Sequence, residues 1–487
     1  MCRSAAILVV VVVALSAAGR ATAQSDPNAW TSYGFDDQLS NRIDSDALTL
    51  RSVPKLRLHW SQHLDGPVYS SPLAANVGGN EVLFATTEAG SVYAIDGDTG
   101  AILWQRHLGT VATDECGTWG ITSTGAISRR QQLLYVIGAT GALHALDLSS
   151  GADAAGYPRQ LIDHPEFEYV WGGLRISAGR LYVPVASYCD VGAAGGFFPE
   201  GGLIALKLDQ PDQGSEWDSV PGPQNLGGIW GWGGVSVDPD TGAIFTGIGN
   251  SHALSAECGC YIDNSGYGDQ MVALNPDLSQ VLDSDEPGIP ATGDSDFGAA
   301  PLLFQPDACP PLAAANNKDG SLYVWDRTRL AAGPLLRLPL GDGIAPFVGS
   351  PGWSPSKQVV YAAQSVIRSD GRRLGNGVTA WHVDAGCGFR PIWQVLLGDG
   401  IQPTPLLAGN VLFATGGTPG GFFALDAANG KELWTYPTGG STTAGMISVA
   451  GEVFGADTDG VLYAFTPPEG PGRACSAACF RRFRRSA

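Results

Sequence analysis

Ser70-Ser71-Pro72-Leu73, Val82-Leu83-Phe84-Ala85-Thr86, Gly90-Ser91-Val92-Tyr93-Ala94-Ile95-Asp96 and Thr99-Gly100-Ala101-Ile102-Leu103-Trp104 make up one structural unit. It reads as small residues and proline, a β run, a glycine turn, a second β run closing on Ala-x-Asp, then glycine and a tryptophan. The unit returns as Thr404-Pro405-Leu406, Val411-Leu412-Phe413-Ala414-Thr415, Phe423-Ala424-Leu425-Asp426 and Gly430-Lys431-Glu432-Leu433-Trp434. Looser copies start near Ile121, Gly173, Gly233, Phe297, Val348 and Ala444. Self-similarity at about 40–50 residues is the mark of a propeller, one repeat to a blade. The fold class is therefore all-β: an eight-bladed β-propeller with four-stranded antiparallel blades, spanning 24–468. The last copy stops after three strands, at Val461-Leu462-Tyr463-Ala464-Phe465. Leu56-Arg57-Leu58-His59-Trp60 has the alternation and tryptophan of an outer strand. It is expected to complete the eighth blade, so that an N-terminal strand closes the ring and removes two open edges. Within each unit, Asp96 is expected to cap backbone N–H groups, Gly100 to take a positive φ, and Trp104 to cover the seam against the next blade.

Residues 1–23 read as a signal peptide: Arg3, an apolar run from Ala5 to Ala18, and small residues at Ala21-Thr22-Ala23. The run is short for a bilayer span and ends at a cleavage site, so a periplasmic or secreted protein without membrane insertion is expected. The chain holds 28 Lys+Arg against 47 Asp+Glu. So acidic a surface disfavours nucleic acid and anionic lipid as partners. The tail 469–487, with Arg481-Arg482-Phe483-Arg484-Arg485 and two cysteines, reads as a disordered end. Cys2 leaves with the signal, and the remaining cysteines (116, 189, 258, 260, 309, 387, 475 and 479) suggest disulfides in an oxidising compartment. No Cys-x-x-Cys-His occurs, so an attached c-type haem is not expected, and the scattered Cys and His residues do not build a zinc site.

The pattern Ala94-x-Asp96-x-x-Thr99-Gly100-x-x-x-Trp104 resembles the tryptophan-docking repeat of quinoprotein dehydrogenases, which bind pyrroloquinoline quinone (PQQ). Trp30-Thr31-Ser32-Tyr33-Gly34 and Leu39-Ser40-Asn41-Arg42 are similar to that family's opening segment. Trp232-Gly233, Asp238-Pro239 and Gly247-Ile248-Gly249-Asn250 resemble its fourth-blade core. The resemblance implies that Trp232 stacks under the quinone and that Asn250 ligates calcium. A flat indole supports a planar tricycle, and an amide oxygen suits a hard cation. Asp294-Ser295-Asp296-Phe297-Gly298 is similar to the acidic element whose aspartate takes the substrate hydroxyl proton. The spacing is one residue short, so either Asp294 or Asp296 aligns; Asp294 is preferred. Asn317-Lys318-Asp319-Gly320 resembles the segment whose basic residue contacts the quinone oxygens, which implies that role for Lys318. Glu200 lies close to where the family places its calcium glutamate, within a loop that differs.

Other positions depart from the family. Cys116 stands alone where the best-known members carry two adjacent cysteines, the following arginine is missing, and Tyr69 stands where a glutamate is expected. Ser187-Tyr188-Cys189-Asp190 and the 116 region instead resemble a branch that includes polyvinyl-alcohol dehydrogenase-like proteins; a Cys116–Cys189 pair is one expectation there. The resemblance thus implies an exported PQQ- and calcium-dependent dehydrogenase, without haem. Its substrate would be a small-molecule or polymer alcohol or a sugar, and its electrons would pass to an external acceptor. The alternative is a non-catalytic propeller acting as an envelope binding or scaffold protein. A serine hydrolase has no convincing nucleophile motif.

Overall fold

In the computed structural model each repeat forms a four-stranded antiparallel blade, and there are eight blades. The structure describes residues 29–113, 117–187, 200–222, 226–251, 265–289, 295–339, 349–367, 373–398 and 403–468. Residues 1–23, expected to be a signal peptide, the tail 469–487, Cys116, Cys189 and Asp294 therefore lie outside the described residues. Blade 1 runs from its inner strand Leu73–Val77 to its outer strand Ile102–His107. Blades 2 to 7 begin at Ala126–Ser128, Arg175–Ser177, Ser236–Val237, Leu302–Phe304, Gly352–Ser354 and Leu406–Ala408. Blade 8 contains Ile447–Val449, Glu452–Ala456 and Val461–Thr466, and its outer strand is the N-terminal Arg57–His63. Leu58 pairs with Phe465 and Trp60 with Ala464, so the closure expected from the sequence is the one observed.

Burial follows from this stacking. The second and third strands are covered on both faces by neighbouring blades, so Asn80–Thr86 and Ser91–Asp96 are apolar and buried along most of their length. The outer strand Ile102–His107 meets solvent and alternates. Trp104 donates from Nε1 to the Leu148 carbonyl at 3.0 Å, on the turn of blade 2. Its ring lies where a Cβ on Gly151 would come within 2.7 Å, and Gly151 has φ +69°. Trp60 of blade 8 meets Gly100 of blade 1 in the same way, with Nε1 bonded to the Gly97 carbonyl at 2.8 Å. Trp393 of blade 6 meets Gly430 of blade 7. The turn glycine thus has two tasks, a left-handed backbone and a bare face for the preceding blade's indole. Asp96 caps the turn by accepting from the Thr99 N–H at 2.9 Å and hydroxyl at 2.7 Å.

One feature was not visible in the repeat. The segment Trp30–Ile43 passes along the inner strands of seven blades in order. Trp30 bridges Ala74, Thr31 accepts from the Ile127 N–H, and Asp37, Gln38, Ser40 and Asn41 accept from Val237, Leu303, Trp353 and Leu407. In blade 3 the contact is a side chain. Arg175, 1% exposed, donates to the Ser32 hydroxyl at 2.7 Å and to the Tyr33 and Asp36 carbonyls at 2.6 and 2.9 Å. Arg42–Ile43 then pairs in parallel with Leu407–Ala408. Asp37 accepts from Ser177 at the end of an inner strand, and Gly409 bonds to Ile43 just past another. The segment therefore sits toward the lower face, where the inner strands end. On that face a disulfide also ties Cys309 of blade 5 to Cys387 of blade 6, with Cα atoms 5.7 Å apart.

Candidate active site

The upper face is formed by the loops that enter each inner strand and by the turns between second and third strands. There the fold brings together three residues that the sequence holds far apart. Asn250 follows the blade 4 strand Ile244–Gly247, Asp296 lies in the loop entering blade 5, and Lys318 tops the blade 5 strand Leu312–Asn317. Lys318 Nζ is 2.8 Å from Asp296 Oδ1, and the Asn250 N–H donates to Asp296 Oδ2 at 3.3 Å. The Lys318 N–H also bonds to the Asp296 carbonyl at 3.0 Å. Asp296 is fully buried and Asn250 nearly so, 0% and 2% exposed. Burying this charge is tolerable because the carboxylate is paired and hydrogen-bonded.

Trp230 covers the cluster, with Lys318 Nζ 5.8 Å from its ring centroid, within cation–π range. Gly249 allows the approach, since a Cβ there would lie 2.5 Å from Trp230 Nε1 and 2.9 Å from Asp296 Oδ2. Trp232, the stacking candidate, is 7% exposed and packs on Tyr33, Leu39 and Ala300. It therefore rests on the N-terminal segment that runs along the inner strands. Glu200 is exposed at the rim of blade 3, where its N–H bonds to Glu168 at 3.2 Å. Its neighbour Gly201 packs against Gly227, whose N–H bonds to the Asn250 carbonyl at 2.8 Å, so Glu200 and Asn250 belong to adjacent blade edges. No group of three or more His, Cys, Asp or Glu placed to hold a metal occurs among the described residues.

Several site-forming residues escaped the sequence reading. Trp119, Tyr169 and Trp171 extend the aromatic surface from Trp230: Trp171 is 6.1 Å from Trp230, and Trp119 and Tyr169 lie 5.0 and 5.3 Å from Trp171, ring to ring. Tyr169 shares a 2.8 Å hydrogen bond with the Thr122 hydroxyl, which donates to Glu88 Oε1 at 2.5 Å. Glu88 also accepts from the Gly120 N–H at 2.9 Å. Burial raises the Glu88 carboxyl above the ordinary range, against the lowering effect of those two bonds. Burial and then the Glu88 charge raise the Tyr69 phenol, so Glu88 acts on the position where the family glutamate was missing. The indoles were visible as Cys116-Gly117-Thr118-Trp119 and Ile229-Trp230-Gly231-Trp232. Glu88 carried no signal, because Thr87-Glu88-Ala89-Gly90 reads as any turn.

Comparison with known proteins agrees with this architecture. A family model of PQQ-type repeats, described as outer membrane protein assembly factor BamB, matches residues 45–160 and 362–471. Its repeats are similar to those of the PQQ-like β-propeller superfamily. It is 26% identical to a polyvinylalcohol dehydrogenase of Sphingopyxis sp. (strain 113P3), over 89% of this chain and 70% of that one. It is 23% identical to a polyvinylalcohol dehydrogenase of Pseudomonas sp., over 89% and 71%. Among solved structures, the quinohemoprotein alcohol dehydrogenase from Comamonas testosteroni superposes with a TM-score of 0.71, at 17% identity, covering 93% of this chain and 84% of that one. That last likeness concerns the fold alone. No helix among the described residues is long and apolar enough to cross a membrane.

Proposed function

We propose that this chain is an exported quinoprotein-type dehydrogenase that oxidises an alcohol or sugar with PQQ and calcium and passes the electrons to an external acceptor. The observation that carries it is the meeting of Asn250, Asp296 and Lys318 beneath Trp230. A carboxylate, an amide, an ammonium and an indole converge there from four loops of two blades. The relatives named as dehydrogenases, aligned over 89% of the chain, favour it over a non-catalytic envelope scaffold.

The residues present fit both groups in donor type. An indole floor and a nearby ammonium suit a planar anionic quinone, and amide and carboxylate oxygens suit a hard cation. Trp232 would form the floor, Lys318 would reach the quinone oxygens, and Asn250 would offer its amide oxygen to calcium, with Glu200 as the carboxylate on the neighbouring blade. When bound, PQQ accepts the hydride and calcium polarises the quinone. Of the two aspartates in the acidic element, Asp294 and Asp296, the proton-accepting role is assigned to Asp296 on its contacts with Lys318 and the Asn250 N–H. Its oxygens are oriented by Lys318 and the Asn250 N–H, and a carboxylate is the group type that takes a substrate hydroxyl proton. Export through residues 1–23 and the absence of a haem-attachment motif complete the proposal.

Purified protein supplied with PQQ and Ca²⁺ should reduce an artificial dye with secondary alcohols as substrate. The Asp296→Asn variant should lose about 10²–10⁴ in kcat, as expected for removal of a general base. Dye reduction that needs neither PQQ nor Asp296 would contradict the proposal.

A further inference from the structure

The residue after Lys318 is a second buried acid. Asp319, with a side chain 6% exposed, accepts from the Ser321 N–H at 2.8 Å, the Tyr323 hydroxyl at 2.7 Å and Arg337 Nη2 at 2.6 Å. Its own N–H donates to Asn317 Oδ1 at 2.8 Å, so the turn is tied on both sides of Lys318. Arg337 comes from the outer strand Leu336–Pro339 and is half exposed. Its Nε donates to the Ser321 hydroxyl at 3.0 Å, and its guanidinium lies 5.4 Å from the Tyr323 ring centroid. Part of this arrangement belongs to the repeat. Tyr93 of blade 1 and Tyr463 of blade 8 hold the place of Tyr323, but the residues opposite them are Gln105 and Ser61, both uncharged. The turn positions of Lys318 and Asp319 are taken by Glu88 and Ala89 in blade 1, and by Thr458 and an exposed Asp459 in blade 8. Of these three blades, blade 5 alone has a lysine in the turn. It alone has a buried carboxylate at the next position, with an arginine reaching in to it. The Asp319–Arg337 pair thus goes with the lysine and not with blade architecture.

We propose that Arg337 is a positioning residue: it neutralises Asp319 and so leaves the Lys318 ammonium committed to Asp296 and to Trp230. An ammonium on a flexible four-carbon stem follows an uncompensated carboxylate, and a buried carboxylate without a counter-charge is costly. Two carboxylates compete for Lys318, one 2.8 Å from its Nζ and the other on the adjacent residue. Arg337 removes the second competitor from outside the site, through Asp319, without itself touching the cluster's acid. The consequence for the quinone rests on the dehydrogenase function proposed above, in which Lys318 reaches the quinone oxygens.

The test uses the intact protein and two readouts. In calorimetric titration with PQQ and Ca²⁺, Arg337→Leu binds the quinone about tenfold more weakly than wild type. Arg337→Leu combined with Asp319→Asn regains most of that loss, because the competing charge has gone, and Arg337→Lys keeps most of the wild-type affinity. A purely structural role for Arg337 predicts the reverse order, with the double variant weaker than the single one. The second readout needs no quinone. The emission of Trp230, taken as the difference between each protein and its Trp230→Phe counterpart, shifts in Arg337→Leu as the ammonium leaves the indole, and returns in the double variant. Unshifted Trp230 emission in Arg337→Leu overturns the proposal, and so does a double variant no better than Arg337→Leu. Wild-type protein that fails to bind PQQ removes the dehydrogenase function, and the emission series then decides the positioning role by itself.

Discussion

Lys318 and Asp296 form an ion pair 2.8 Å long whose carboxylate is 1% and whose ammonium-bearing side chain is 10% exposed. Such a pair is costly to break on one side only, because the remaining charge stays buried. Lys318→Met or Asp296→Ala alone should destabilise the protein by about 3–5 kcal/mol, and the double substitution should recover a large part of that loss. Denaturant unfolding of the four proteins measures the coupling. Additive losses would show that the two side chains do not depend on each other.

Seam packing makes a second prediction. Gly151 combines a φ of +69° with the Trp104 ring at its open face. Gly151→Ala should therefore cost about 1–3 kcal/mol and lower the melting temperature. Gly156→Ala tests whether the indole matters, since Gly156 also has positive φ (+86°) but nothing within 4 Å of its Cβ direction. It should cost clearly less than Gly151→Ala.

Arg175 holds the N-terminal segment by three hydrogen bonds in a fully buried setting. Asp37 and Asp36 lie close enough to favour its charge. Arg175→Met should cost about 3–5 kcal/mol and expose Trp30–Ile43 to limited proteolysis ahead of global unfolding. Cleavage of that segment at the wild-type rate would show that the backbone contacts to the other blades suffice.

The seam between blades 1 and 8 carries a pH dependence. Glu81 is raised to about 7 by burial, then by the charges of Glu452 and Asp98, and Glu452 is itself 3.3 Å from His59 Nδ1. The folded value lies above the ordinary 4.5, so the folded state holds this proton more tightly than the unfolded one. The group's contribution to stability is then largest in acid and falls as pH rises from about 4.5 to 7. Glu81→Gln should gain about 2–3 kcal/mol over wild type around pH 8 and nothing around pH 4. Melting temperatures at the two pH values decide it; an equal gain at both would place the effect outside titration.

Much of the ring was legible in the sequence. Asp96, Gly100 and Trp104 announce their roles by spacing, and Leu58–Trp60 could be placed in blade 8 because that blade lacked an outer strand. The Trp30–Ile43 belt was not legible. Its bonds are made by backbone carbonyls to seven strands distant in sequence, and backbone groups leave no residue-type signal. At the site, Asn250 and Lys318 were found by motif and do converge. The choice between Asp294 and Asp296 turned on one residue of loop length, which pattern cannot resolve; Asp296 lies against Lys318, and Asp294 lies outside the described residues. Trp230 was overshadowed by Trp232 because both occupy Ile229-Trp230-Gly231-Trp232, and only packing separates the one on the N-terminal segment from the one against Lys318. Glu88 joins the rim through Thr122, a partner from another blade.

Calorimetric titration of the metal-free protein with PQQ, in the presence and absence of Ca²⁺, tests the central assignment most directly. The arrangement of Trp232, Asn250 and Lys318 predicts saturable binding of one quinone per chain that strengthens with Ca²⁺. Asn250→Ala should remove the calcium dependence, and Lys318→Met should weaken the quinone itself. No heat of binding at concentrations on the order of 10–100 μM, about the weakest affinity a working cofactor site would have, would contradict it.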